Sequence, residues 1–149
     1  MHSLHSASPI PHSPTYSLLA IVSGLRSLSA RLAFTGPVPL EGADGRIVPG
    51  GGMVHDGFQS AAKRLWAQIE PCLPPSTRLT LTGHSLGGGV ATLLTLYALA
   101  QGREASLVTV AGPRLGDRSF ARHFRESCPT PAGERNTTHT HEAADEIST

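Results

Sequence analysis

The run Arg78-Leu79-Thr80-Leu81-Thr82-Gly83-His84-Ser85-Leu86-Gly87-Gly88-Gly89-Val90 changes periodicity in its middle, and the rest of the chain can be placed around that change. From Arg78 to Thr82 polar and apolar residues alternate, the pattern of a strand with one buried face. From Val90 to Ala100 nearly every residue is apolar, which suits a helix buried on all sides. Between the two lies Gly83-x-Ser85-x-Gly87. A serine at the apex of a tight turn from strand to buried helix is the context of a nucleophile elbow. Glycines at 83 and 87 leave room where a Cβ would clash, so that Ser85 Oγ stands out above the sheet. The helix start behind it offers unpaired N–H groups and a positive dipole end. The Leu86 N–H is therefore a candidate donor to an oxyanion. Gly88 and Gly89 are expected to let the helix pack close to the sheet. The competing reading is a Gly/Ser-rich loop with no chemistry.

Working upstream, Phe58, Ala62, Leu65, Trp66 and Ile69 recur at helical spacing and predict a helix with one apolar face from about Asp56 to Glu70. Pro71, Pro74 and Pro75 end it. Gly45 to Gly52 is glycine-rich but lacks the Gly-Lys-Ser/Thr end of a phosphate-binding loop, and reads as a plain loop. Downstream, Gly102 sits where the long helix should stop. Ala105 to Ala111 reads as the next strand, parallel to the first through a helical crossover. Asp117 to Glu126 reads as a further helix, with Asp117 as its cap.

These pieces carry a resemblance. Gly83-His84-Ser85-Leu86-Gly87-Gly88 resembles the elbow of the class 3 lipases, the fungal-type lipases of the α/β-hydrolase fold. Val54-His55-Asp56-Gly57-Phe58 is similar to that family's Val-His-x-Gly-Phe segment, with His55 as a structural histidine. Val108 to Asp117 resembles the strand and Pro-Arg-x-Gly-Asp turn after the elbow, and Phe120-Ala121 continues the match. The resemblance covers roughly residues 54–124. It implies an α/β fold, a partial α/β-hydrolase with a parallel sheet flanked by helices and its C-terminal part missing. It also implies a serine hydrolase of carboxylic esters, most plausibly acylglycerols, working through an acyl-enzyme without metal or organic cofactor. The partner so implied is a lipid or ester substrate, with transient contact to a lipid surface. A thioesterase or acyltransferase built on the same elbow stays open, as does a catalytically inactive remnant or binding module.

A hydroxyl needs a histidine to take its proton and an acid to orient that histidine, in the chain order Ser, acid, His. Downstream of Ser85 the only aspartates are Asp117 and Asp145. Glu142 to Ile147 resembles the family's acid segment and makes Asp145 the candidate acid. Ser148 stands where that segment has proline, and an exposed tail aspartate is the other reading. His139 and His141 precede Asp145, His84 points away from where a base is needed, and no histidine of the chain fits the role. The second oxyanion donor has an equally thin candidate: Phe34-Thr35-Gly36-Pro37 resembles a degenerate copy of the family's donor segment, which would put Thr35 or Gly36 near the hole, with Thr35 the candidate donor; the favoured alternative is that the segment is lost.

With 149 residues the chain suits one domain of modest core, shorter than a class 3 lipase domain. The formal net charge of +1 gives no electrostatic footprint for nucleic acid, and no apolar run is long enough to span a membrane. The first acid is Glu41, after a Ser-rich start with Arg26 and Arg31. Residues 1–30 therefore read as a disordered or targeting-like segment, weakly like an organelle transit peptide, and residues 31–149 as an incomplete lipase-like domain, otherwise soluble. His2, His5 and His12 are spaced irregularly and read as solvated. Cys72 and Cys128 do not make a disulfide framework and read as structural thiols.

Overall fold

The computed structural model describes residues 36–128 and the backbone of a strand at residues 15–19. Along the chain it places β1 (Thr15–Leu19), β2 (Pro37–Pro39), β3 (Met53–His55), α1 (Asp56–Ile69), a 3₁₀ turn (Glu70–Cys72), β4 (Arg78–His84), α2 (Leu86–Ala100), β5 (Ala105–Val110) and α3 (Arg118–Ser127). β1, β4 and β5 form a parallel sheet in the order β1-β4-β5, and β2 pairs antiparallel with β3.

The alternation in β4 sorts its two faces. Leu79 and Leu81 are fully buried, while Thr80 and Thr82 are half-buried. Leu81 lies opposite Leu107 in the ladder, and Leu107 packs on the same core. α2 covers that face, and Val90, Leu93, Leu94 and Ala98 have almost no exposure. Its two threonines return their hydroxyls to the helix, Thr92 to Gly88 O at 2.9 Å and Thr95 to Ala91 O at 2.8 Å, so an apolar environment leaves neither unpaired. α1 lies against α2. All five residues of its expected apolar face are buried or packed on the core. Trp66 meets Tyr97 of α2 edge to face, ring centroids 6.2 Å apart. The opposite face of β5 stays open among the described residues, and Val108 and Val110 are exposed there.

Local sequence pattern does not show β1 or the β2–β3 pair. β1 lies within the segment read as disordered or targeting-like, and pairs with β4 from Thr15↔Arg78 to Leu19↔Thr82. The β2–β3 pair comprises strands of three residues with Pro37 and Pro39 in one of them, an arrangement tolerated at a sheet edge where proline need not donate. The buried amide of Gln59 holds this pair to α1. It accepts from the Glu41 N–H at 2.8 Å and donates to Pro39 O at 3.1 Å. Lys63, one turn further along α1, forms an ion pair with Glu41. Cys72 and Cys128 are both free thiols, Cys72 exposed and Cys128 partly buried. No helix among the described residues is long and apolar enough to cross a membrane.

Candidate active site

β4 runs through Gly83 and His84, and α2 starts at Leu86, so a single residue makes the turn. That residue is Ser85, with φ 50° and ψ −122°. A non-glycine residue with positive φ costs about 1–3 kcal/mol and persists only where its surroundings fix it. Here they do so from both sides. The Ser85 N–H donates to Val110 O of β5 at 2.8 Å, and its carbonyl accepts from the Gly88 N–H at 2.9 Å. The side chain is left exposed. A Cβ on Gly83 would overlap the Gly87 carbonyl and the Gly88 nitrogen, so strand and helix approach as closely as they do only because residue 83 is glycine. Leu86 is the first residue of α2, and its N–H has no backbone acceptor among the described residues.

The segments singled out in the sequence converge behind the elbow. A Cβ on Gly89 would stand 2.6 Å from Phe58 Cε1 and 2.8 Å from Leu115 Cδ2. Gly89 thus admits α1 and the turn after β5, rather than the sheet. Gly88 is the residue that faces the sheet side, where a Cβ would lie 3.2 Å from Gly83 O and 3.3 Å from Gly112 Cα. The Val54-His55 strand and the Leu115-Gly116-Asp117 turn are joined by backbone, His55 N–H to Leu115 O at 2.9 Å and Asp117 N–H to Met53 O at 3.0 Å. A side chain on Gly116 would meet Met53 O. Ala111, just after β5, is the second non-glycine residue with positive φ (52°).

His55 caps α1, its Nδ1 accepting from the Gly57 N–H at 3.1 Å, and its ring lies edge-on to Phe58. His84 is exposed and shares a strand face with Thr80 and Thr82. His123 contacts a serine, but it is Ser127, one turn along α3, at 3.5 Å. None of these three is bonded to Ser85. Asp117 is the N-cap of α3, accepting from the Phe120 N–H at 2.8 Å. That bond, helped by the charge of Arg114, holds its carboxyl below the usual aspartate range. The other candidate site residues, Thr35, Asp145, His139 and His141, lie outside the described residues. Gln59, which fixes the loop beside α1, was missed by the sequence reading because a glutamine on a helix carries no periodic signal.

Comparison with known proteins decides the family. The family model described as lipase (class 3) matches residues 26–145. The chain belongs to the class 3 lipase family. This match extends beyond the 54–124 region on both sides. Among curated relatives, the chain is 37% identical over 74 residues to a secreted mono- and diacylglycerol lipase of Fusarium solani, covering 46% of this chain and 22% of that protein. It is 34% identical over 92 residues to a lipase of Rhizopus oryzae, covering 54% and 23%. It is 32% identical over 98 residues to a chloroplastic phospholipase A1 of Arabidopsis thaliana, covering 59% and 13%. Among solved structures, the Lip2 lipase of Yarrowia lipolytica superposes with a TM-score of 0.57 at 25% identity, over 65% of this chain and 36% of that one. The fold is thus that of an α/β-hydrolase, in part. The matched region spans about a fifth of the Fusarium relative's length and about a third of the Lip2 chain.

Proposed function

We propose that the chain carries the nucleophile of a carboxylic ester hydrolase acting on acylglycerols, with Ser85 Oγ as the attacking atom. The observation that carries this reading is an exposed serine held at positive φ on a one-residue turn, beside a helix-start N–H with no backbone acceptor among the described residues. Oγ adds to the ester carbonyl, and the carbonyl oxygen takes up negative charge. The Leu86 N–H stabilises that oxygen without reorganising. Collapse expels the alcohol and leaves an acyl-serine, which water then cleaves to the free acid. The proton leaving Oγ requires a histidine base that passes it on to the departing alcohol; no histidine of the chain is assigned to that role, and Asp145 is the candidate for the carboxylate that would orient it. Thr35 is the candidate second oxyanion donor.

A second reading is a lipase-like domain that keeps the elbow without turnover. It is favoured by one observation: every described histidine is either capping, paired elsewhere or on the far strand face.

Turnover of tributyrin and of a nitrophenyl butyrate by the full chain and by Ser85→Ala separates the two. The expected result is hydrolysis by the parent and a loss of about 10⁴-fold or more in kcat for Ser85→Ala, with the circular dichroism spectrum unchanged. Retained turnover in Ser85→Ala would refute the assignment of the nucleophile. A parent chain that folds but hydrolyses neither ester favours the second reading. An acyl-thioester turned over in preference to tributyrin would reassign the substrate class and keep Ser85.

A further inference from the structure

Charge on this nearly neutral chain collects on one helix. The formal net charge is only +1, yet Arg114, Arg118, Arg122 and Arg125 fall close together, against two neighbouring acids, Asp117 and Glu126. The last three arginines belong to α3. At 3.6 residues per turn, steps of four and three residues stack them in one row. Phe120 and Phe124 lie on the opposite side of the helix, where Phe120 is buried and Phe124 packs on the core. The row therefore faces away from the protein, and all three arginines are exposed.

The fold does not compensate this row. Ion pairs among the described residues join Arg46 to Asp44, Lys63 to Glu41 and Arg78 to Glu104. None of them includes Arg118, Arg122 or Arg125. Asp117 is committed to the cap of α3. Arg118 and Arg122 are like charges four residues apart, and Arg122 and Arg125 three apart, spacings at which like charges weaken a helix. Arg118 also stands in a first turn that holds no acid, where the helix dipole disfavours a cation. An anionic surface laid along the row relieves all of these costs together.

The row begins at the elbow end of the molecule. β5 ends at Val110, whose carbonyl accepts from the Ser85 N–H at 2.8 Å, and the turn that follows leads into α3. In that turn Leu115 faces Gly89, about one helical turn from Ser85. We propose that the arginine face of α3 is a docking surface for an anionic lipid bilayer, holding the elbow end of the molecule against the surface that carries its substrate. Guanidinium groups match the phosphates of such a surface geometrically. The choice of lipid rests on the reading of Ser85 as the nucleophile of an acylglycerol hydrolase. A nucleic acid fits less well. Its binding domains are strongly basic overall and offer aromatic rings to unpaired bases, whereas the pI here is about 7.9 and both phenylalanines of α3 are turned inward.

Co-sedimentation of the full chain with vesicles tests the proposal. The expected result is binding to vesicles of equal parts phosphatidylcholine and phosphatidylglycerol, none to phosphatidylcholine alone, and release at about 1 M sodium chloride. Each arginine near an anionic surface contributes about fivefold in affinity. Arg122→Gln is thus expected to weaken binding about fivefold, and Arg118→Gln, Arg122→Gln and Arg125→Gln combined about a hundredfold. Hydrolysis of soluble nitrophenyl butyrate should be unchanged in both. Arg64→Gln removes an exposed arginine from α1 and should bind like the parent. The proposal is overturned if the parent ignores the mixed vesicles, if the triple variant binds as the parent does, or if Arg64→Gln weakens binding as much as Arg122→Gln. Displacement of the chain from the vesicles by a low concentration of duplex DNA overturns it in favour of a nucleic-acid surface. Docking and chemistry fail separately. A chain that hydrolyses the soluble ester but ignores the vesicles loses the docking surface and keeps Ser85. A chain that docks without hydrolysing keeps the arginine row and counts against the elbow.

Discussion

Replacing Gly83 by alanine puts the elbow geometry under direct stress. The added Cβ would fall on the Gly87 carbonyl and the Gly88 nitrogen. These are backbone atoms in the first turn of α2, and Gly88 N–H is already committed to Ser85 O at 2.9 Å. A side chain in their place could rotate away; a backbone cannot. Relief requires the start of α2 to move off β4, opening contacts that bury Leu79, Leu81, Val90 and Leu93. Overpacking of a core commonly costs about 1–3 kcal/mol where side chains can yield, so about 3 kcal/mol or more is expected here. For a domain of this size that lowers Tm by about 12 °C or more. Two further substitutions set the scale. Gly89→Ala meets only the side chains of Phe58 and Leu115, at 2.6 and 2.8 Å, and belongs in the range of about 1–3 kcal/mol. Gly36→Ala meets nothing within 4 Å and should change stability by less than about 0.5 kcal/mol. Thermal unfolding followed by circular dichroism measures all three. Should Gly83→Ala melt together with Gly36→Ala, the close approach of strand and helix at the elbow is wrong, and the outward placement of Ser85 goes with it.

Other substitutions probe the frame around the elbow. Ala111 carries positive φ without being glycine, at a cost of about 1–2 kcal/mol. Ala111→Gly relieves it and loses part of the gain to a more flexible unfolded chain, so a net stabilisation of about 0.5–1 kcal/mol is expected in urea titrations; a lower midpoint would contradict the backbone at that turn. Asp117 accepts from the Phe120 N–H, and its folded pKa lies below the ordinary value of 3.8. The stability it contributes is therefore complete above its unfolded pKa and is lost as pH falls through the folded one. Asp117→Asn keeps a capping oxygen without titrating, so its Tm should fall less steeply than the parent's from pH 5 to pH 3. Parallel curves would remove Asp117 from the cap.

Most of the frame could be read in the sequence because its signals are local. The alternation in Arg78–Thr82, the apolar run in Val90–Ala100 and the stripe from Phe58 to Ile69 each arise within one element, and each forms the element it implies. β1 escaped notice because nothing in Thr15–Leu19 distinguishes it from a Ser-rich leader; its strand character comes from pairing with β4, far along the chain. The β2–β3 pair escaped for the same reason, its prolines arguing locally against a strand. The convergence of Phe58, Gly89 and Leu115 is likewise a tertiary fact, visible in sequence only as three separate motifs. At the site, the position of Ser85 was legible because strand, turn and helix are contiguous. Acid and base were not, because an α/β-hydrolase draws them from distant loops, and neither Asp145 nor a serviceable histidine falls among the described residues.

The most direct measurement is the identity of the serine that a fluorophosphonate probe modifies. After incubation with the full chain, proteolysis and mass spectrometry should locate the adduct on Ser85, with no adduct on the Ser85→Ala chain. An unmodified Ser85, whether the probe reacts nowhere or at another hydroxyl such as Ser127 beside His123, would contradict the claim that the elbow presents a working nucleophile.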